Sequence, residues 1–472
     1  MEKTFDLIVI GGGSAGLSAA QFAAQVGARV LLVEKYRIGG DCTWTGCVPS
    51  KTLMKVAKVA HTVRTAAAFG IRSEPPTIDM PQIRDHIQQV IQDIYSHETP
   101  EMLAKSGVEI VYGAARFVDP VTIEVGSQRL FGKNFILATG THPFIPPIPG
   151  LDETPYLSCM QLFDNDSLPE KLVVLGAGAT GVEIAQAYGR LGSQVTLVDI
   201  GLLPAFDPDV GMVLAEVFRR EGVRFITGLA TAVAYKGSQY QISIESEDQP
   251  QITADMLLVA AGRLPNVAGM ALNSAGIAYD SKGIRVDDTL RTSTNHIYAA
   301  GDCTGGFQST HYAGWQGYKA ARNILFPGST QGVRSSVPAA VYTDPEIAHA
   351  GLSEAQSQTL YGAAVQVVRH PLSRVDRAVV DREQDGFIKI MHKSDGAVLG
   401  ATIVAPRAGE MITEFEIALQ HGLKIRDLAE AMHVYPAYSM GVQRVAASVA
   451  TEQFITSFAG RMARRLAGFT PS

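Results

Sequence analysis

The sequence predicts an α/β protein built from two similar strand-helix-strand domains followed by an α+β domain, and three observations carry that prediction. A 29-residue segment occurs twice, each copy alternates buried β-branched strands with an Ala-rich helix, and beyond Gly332 the pattern continues without a third copy. At 472 residues the chain is also too long for one compact core, which fits three domains.

The repeat lays Asp6 to Glu34, DLIVIGGGSAGLSAAQFAAQVGARVLLVE, on Lys171 to Asp199, KLVVLGAGATGVEIAQAYGRLGSQVTLVD, without gaps. Gly11, Gly13, Gly16, Gly27 and Glu34 fall on Gly176, Gly178, Gly181, Gly192 and Asp199. In each copy the first glycine permits a tight turn, the second lets backbone approach a pyrophosphate, and the third lets helix pack on strand. The pyrophosphate then meets a helix N-terminus, where free N–H groups and the dipole favour an anion. Glu34 and Asp199 stand 18 residues after the third glycine, placed to accept hydrogen bonds from a ribose diol. A single GxGxxG says little, but two in register with strand, helix and terminal acid predict two dinucleotide-binding (Rossmann-like) domains.

The remaining segments divide the chain. FILATG (Phe135 to Gly140), LLVAAG (Leu257 to Gly262) and IYAAGD (Ile297 to Asp302) are strands running into turns, where the chain crosses between domains. Strands at Ala339 to Tyr342, Gly386 to Met391 and Val398 to Val404 then alternate with helices in a mixed domain. The expected boundaries are 1–150 and 271–335 for the first nucleotide domain, 151–270 for the second, 336–455 for the mixed domain and 456–472 for a tail.

Composition narrows the function. A net charge of −6 and a pI near 6.0 provide no basic field for nucleic acid, which leaves small molecules as partners. A strand-like run begins at Asp6, so no signal peptide is read, and no apolar stretch approaches the roughly 18 to 20 residues of a membrane span. Four cysteines are too few for a secreted disulfide framework. A cytoplasmic enzyme is expected.

Two of those cysteines lie close together in GGDCTWTGCVPSK, at Cys42 and Cys47 near the start of a helix. Helix-terminal N–H groups would stabilise a thiolate there. Two buried free cysteines or half a metal site are the alternatives, but no second Cys/His pair at zinc spacing exists, which favours redox chemistry.

The chain to about Gln453 resembles the pyridine nucleotide-disulfide oxidoreductases through GGGSAG, GGDCTWTGCVPSK, ATG, GAGATGVE, AAGRLPN and IYAAGD. Within that family GCVPSKTL, PAAVYTDPEIA and VAPRAGEMI are most similar to mercuric reductases, and next to dihydrolipoamide dehydrogenases. The resemblance implies FAD and NAD(P)H as cofactors, and a homodimer with shared active sites formed by a C-terminal α+β dimerisation domain. By position it implies that Gly11, Gly13, Gly16 and Glu34 hold the ADP half of FAD, with Ala115, Thr139, Gly140, Asp302 and Thr310 around the rest. It implies that Gly176, Gly178, Gly181, Asp199 and Gly262 hold the nicotinamide nucleotide. Cys47 would be the flavin-side thiol, Cys42 the thiol that meets substrate, and Lys51 and Glu183 an ion pair beside the flavin. An N-cap for the following helix is the other role open to Thr310.

Two departures bear on the acceptor. In MHVYPAYSM, Tyr435 stands before the proline where disulfide-reducing members carry a general-base histidine, and Met440 stands at the position of its glutamate. A phenol with an ordinary pKa near 10 is a poor base at neutral pH. A thiol leaving from a disulfide needs a proton, whereas a soft metal ion held transiently by Cys42 and Cys47 does not. Mercuric reductases share an aromatic at this position, but usually end in a cysteine pair, whereas this sequence ends RRLAGFTPS. The expected acceptor is therefore a soft metal ion such as Hg(II). Dihydrolipoamide or another disulfide, a diaphorase or quinone reductase, and a redox-responsive binding component are the alternatives. Val198-Asp199-Ile200-Gly201-Leu202-Leu203 offers a carboxylate and no base to a 2′-phosphate, so NADH is expected over NADPH. In the tail, Phe454, Phe458, Met462 and Leu466 at a spacing of four, with Arg461, Arg464 and Arg465, predict an amphipathic helix. Packing on its own dimer is the expected use, and a membrane surface the alternative.

Overall fold

The computed structural model describes residues 4–245 and 251–469. One compact unit comprises the described residues of Met1–Gly176 with Arg190–Val195 and Gly228–Ser335. The other comprises Ala177–Gly189, Thr196–Thr227 and the described residues of Ser336–Ser472.

The first unit is built on a five-stranded sheet in the order Ile297–Ala299, Phe135–Leu137, Leu7–Ile10, Val30–Glu34, Val108–Tyr112. Every pairing is parallel, with Leu7 opposite Val30 and Ile8 opposite Phe135. Both faces are covered, which is why Leu7–Ile10 and Val30–Glu34 are continuous buried runs rather than alternating ones. The strand before Asp302 thus returns to the sheet begun 290 residues earlier, and Gly11, Glu34, Thr139 and Asp302 all follow carboxyl ends of its strands. That is the edge on which open α/β sheets bind ligands.

Small residues bring two helices together over this sheet. Ser14–Gln25 buries Ala15, Gly16, Ala19, Ala20 and Ala23, while Thr310–Leu325 buries Ala313, Gly317, Ala320 and Ala321. A Cβ on Gly317 would lie 2.0 Å from the Ala15 carbonyl oxygen, so the crossing needs glycine. It fixes where the N-terminus of the second helix, and with it Thr310, can stand.

In the second copy, Lys171–Leu175 pairs in parallel with Met256–Val259 in the first unit, and Thr196–Asp199 pairs in parallel with Arg224–Thr227 in the other. Residues after Ser336 form an antiparallel sheet in the order Ala339–Val341, Glu346–Gly351, Val398–Ala405, Phe387–Lys393, Val365–Pro371. Helices Ala408–His421 and Met440–Thr456 close its core through Phe415, Ile412, Val442 and Val445. The expected single tail helix is two: the chain breaks at Ser457, leaving Phe454 on Met440–Thr456 and starting a new helix at Phe458.

Within the second unit Lys389 is 2% exposed and lies 2.8 Å from Asp207, 3.0 Å from Asp209 and 3.3 Å from Glu354. A buried ammonium paired with carboxylates is costly to dismantle, because Asp207, the nearest of the three, is itself buried and would be left without its partner. Lys389→Ala is expected to cost about 3 to 5 kcal/mol in chemical denaturation. A loss below about 1 kcal/mol, the value of a surface pair, would mean that water reaches the cluster.

Candidate active site

Residues 39–47 fold into a tight double turn that delivers both cysteines. Gly39 takes φ +103°, a short helix Gly40–Trp44 carries Cys42, and Cys47 opens the long helix Cys47–Thr65. Gly46 between them has no room for a side chain, since a Cβ would lie 2.8 Å from the Asp41 carbonyl oxygen. Trp44 anchors the turn by donating its indole N–H to the Ile38 carbonyl at 2.7 Å, with Arg37 over its ring.

The side chains of Cys42 and Cys47 are not joined by a disulfide in this structure. The interaction with the Cys47 sulfur, reinforced by burial, holds the Cys42 thiol protonated well above the usual thiol range. Cys47 is the more exposed, and its Sγ lies 3.3 Å from the Thr310 hydroxyl. Ser309 occupies the N-cap position of helix Thr310–Leu325, so the N-cap alternative for Thr310 is excluded and its hydroxyl faces the redox pair.

A residue missed as a site residue in the sequence, Arg263 of AAGRLPN, ties this turn to its surroundings. It is ion-paired with Asp41, the neighbour of Cys42, donates to Thr141 Oγ1 at 2.7 Å and reaches Cys159 Sγ at 3.4 Å. Thr141 Oγ1 lies 3.4 Å from Asp302 Oδ2. Burial pushes the Asp302 carboxyl up, and Arg263 pulls it back. Asn266, three residues on, clasps the ATG turn through reciprocal 2.8 Å bonds with Thr139. Cys303 is fully buried, with its thiol pushed up to about 11, and fills space in the core.

The glycines pass a stringent test for a dinucleotide. Gly11 and Gly176 need glycine for their φ of +111° and +108°, and Gly16 because a Cβ would lie 1.8 Å from the Gly11 carbonyl oxygen. Gly13 and Gly178 need it for neither reason. Their φ is not positive, and a Cβ would meet only Gly40 Cα at 3.8 Å in one and nothing within 4 Å in the other. These are the two positions where a pyrophosphate requires bare backbone. Glu34 accepts from Gly12 N–H at 2.7 Å and Asp199 from Ala177 N–H at 2.6 Å, so each terminal acid also braces its own loop. Gly140 and Gly262 are left-handed turns open to space, and Ala115 is buried in its strand.

Lys51 lies on helix Cys47–Thr65. Glu183 is buried on helix Ala179–Leu191 and accepts from Tyr342 N–H at 2.8 Å. One turn along, Gln186 exchanges two hydrogen bonds with the Asp344 backbone, so YTDP is stapled to this helix.

The two tyrosines of YPAYSM have different lives. Tyr438 is buried and donates to Asp381 and Glu383 at 2.9 and 3.0 Å, whereas Tyr435 is 69% exposed, before a cis proline. His433 bridges the Ala431 carbonyl at 2.8 Å and Glu414 at 2.9 Å. Two acceptors on two ring nitrogens suit an imidazolium that donates from both. Although burial opposes the charge, these acceptors hold its pKa above the usual histidine value.

Residues 5–317 match the family described as pyridine nucleotide-disulphide oxidoreductase, and residues 337–446 match its dimerisation domain. The chain belongs to this family. It is thus an oxidoreductase that uses FAD and NAD(P)H, and a homodimer. It is 33% identical to the mercuric reductase of Staphylococcus aureus, over 94% of this chain and 82% of that one. It is 34% identical to the dihydrolipoyl dehydrogenase of Thermus scotoductus, over 94% and 97%. Among solved structures it is similar to the Cu(II) complex of the HOCl-induced flavoprotein disulfide reductase RclA from Escherichia coli. That match has a TM-score of 0.84 and 27% identity, covering 93% of this chain and 99% of that one.

The His433–Glu414 pair predicts a pH dependence. A folded-state pKa raised above the unfolded value contributes stability that is complete below about pH 6.5, the unfolded value, and lost as pH rises through the folded one. His433→Gln is expected to lower stability by about 1 kcal/mol at pH 6, the scale of a charge-assisted hydrogen bond, and by much less at pH 9. Denaturation midpoints of both proteins across that range test it, and an equal loss at both ends would show that the charge is not what matters.

Proposed function

We propose that this flavoenzyme reduces a soft metal ion, with Hg(II) the first candidate, using electrons from NADH that pass to the Cys42–Cys47 pair. The observation that carries this reading is the lack of a free base in HVYP. Tyr435 replaces the histidine, and both ring nitrogens of His433 already face acceptors. Proton accounting turns this into an acceptor preference. Reducing a disulfide by NADH consumes a proton as two S–H bonds form, whereas NADH and Hg(II) give NAD⁺, Hg(0) and one released proton. In the second reaction the two S–Hg bonds break as the metal takes two electrons, and the thiolates remain.

FAD supplies two-electron transfer between nicotinamide and the cysteine pair. In this reading Cys42 and Cys47 bind the ion as thiolates, with Tyr435 supplied across the dimer interface. Thr310 orients Cys47, and Arg263 holds Asp41 so that Cys42 keeps its place. Glu34, Asp302 and the first glycine loop would hold FAD, and Lys51 would supply a cation that favours negative charge on the reduced ring. The relatedness to a Thermus dihydrolipoyl dehydrogenase over nearly its full length favours a second reading, turnover of a dithiol, in which His433 would have to leave Glu414.

Steady-state rates with Hg(II), lipoamide, glutathione disulfide and a quinone discriminate. Hg(II) is expected to be the best acceptor and to lose on the order of a hundredfold or more in Cys42→Ala, with quinone turnover retained. Lipoamide turnover exceeding that with Hg(II) would overturn the proposal, and Hg(II) turnover unchanged in the variant would remove the cysteines from it.

Asp199 bears on the nicotinamide nucleotide. Its second oxygen accepts from Ile200 N–H at 2.7 Å, and no base follows before Pro204. A 2′-phosphate beside this carboxylate meets like charge at a cost of about 1 to 3 kcal/mol when partly screened. NADH is therefore expected to exceed NADPH in kcat/KM by roughly ten- to a hundredfold, and Asp199→Ala to narrow the gap. A wild-type preference for NADPH would show that the carboxylate does not govern selection.

A further inference from the structure

The short helix Phe458–Leu466 does not serve the chemistry above, and its surroundings fix its direction. Ser457 caps it by accepting from Gly460 N–H at 3.0 Å. Gly460 is buried against the preceding turn, where a Cβ would lie 1.8 Å from the Phe454 carbonyl oxygen, and Arg461 donates to the Thr456 carbonyl. Phe458, Met462 and Leu466, at positions i, i+4 and i+8, form one stripe, and Phe469 follows the helix. All four are exposed, Leu466 by 84% and Phe458 by 74%.

We propose that this helix docks on an anionic lipid surface. Charge complementarity adds to the apolar stripe. Within the helix Arg464 falls opposite the stripe while Arg461 and Arg465 border it, and no acidic residue occurs from Gln453 to Phe469, although the whole chain carries −6. A stripe of Phe, Met and Leu bordered by arginines matches a bilayer interface, where apolar side chains enter the acyl boundary and guanidinium groups meet phosphate. A second copy of this helix is a poorer partner, because a two-fold contact presents the same patch twice and brings six arginines together with no carboxylate in the segment. Among the described residues no helix is long and apolar enough to cross a membrane, so the contact is peripheral.

The test is flotation of the FAD-loaded enzyme with vesicles of phosphatidylcholine alone or with added phosphatidylglycerol. Binding is expected only to the anionic vesicles and is expected to fall as salt rises. In R461E/R464E/R465E it should drop by roughly a hundredfold, from three lost cation contacts. F458S/L466S should also weaken it, with NADH-driven activity unchanged in both variants. Equal binding to both vesicle types, insensitivity to salt, or no binding by wild type would overturn the proposal. So would dissociation of the dimer in F458S/L466S, seen by sedimentation, which would assign the stripe to a subunit interface.

Discussion

At the head of each nucleotide fold, one carboxylate holds the amide of the residue between two glycines, Glu34 on Gly12 and Asp199 on Ala177. Much else follows from this contact. A glycine-rich turn has high conformational entropy, and a charge-assisted hydrogen bond from the neighbouring strand selects one of its shapes. With the turn fixed, Gly16 can press on the Gly11 carbonyl and the helix can start at its only permitted height. The amides further into that helix stay free for an anion because the brace consumes just one donor. The carboxylate at the end of each strand therefore shapes the glycine turn as well as facing the proposed nucleotide site, so substitutions at Glu34 or Asp199 disturb both.

The redox turn applies the same economy of contacts to a different task. Two cysteines on adjoining helices need a reproducible separation in both oxidation states, yet a short loop stores little rigidity of its own. Arg263 supplies it from a distance by joining Asp41, Thr141 and Cys159 with one planar fork. The same arginine neighbours the Asp302 carboxyl through Thr141, so the cysteine turn and the IYAAGD turn are mechanically one piece. Helix Thr310–Leu325, seated by Gly317 on Ala15, brings the Thr310 hydroxyl to Cys47 within that piece.

What the sequence made legible were features whose cause is local. Strand periodicity, glycine spacing and the terminal acids are set within 30 residues, so both strand-turn-helix-strand repeats and the need for glycine at Gly11, Gly16 and Gly176 could be read directly. The helix after Ser309 was equally plain, but not that its first hydroxyl points at a cysteine 263 residues away. Arg263 with Asp41, Lys389 with Asp207 and His433 with Glu414 left no periodic trace, because a charged pair brought together by tertiary packing has no preferred spacing. AAGRLPN marked the segment without assigning its arginine a task. In the tail the spacing of four was real, yet it ran through Ser457, where a side-chain cap starts a new helix. Periodicity alone does not see such a break.

The fate of His433 shows how one substitution redistributes proton chemistry. With tyrosine before the cis proline, the remaining imidazole in HVYP lies two positions earlier and is locked between Ala431 and Glu414. With an acceptor at each ring nitrogen, His433 is favoured in its protonated form, and it gives up that proton only as pH rises through its raised pKa. This segment therefore presents an exposed tyrosine before the proline and a histidine paired with Glu414 two residues earlier. Metal-thiolate exchange, in which the entering and leaving groups are themselves thiolates, is the chemistry that makes no demand on this histidine in the proposed reaction.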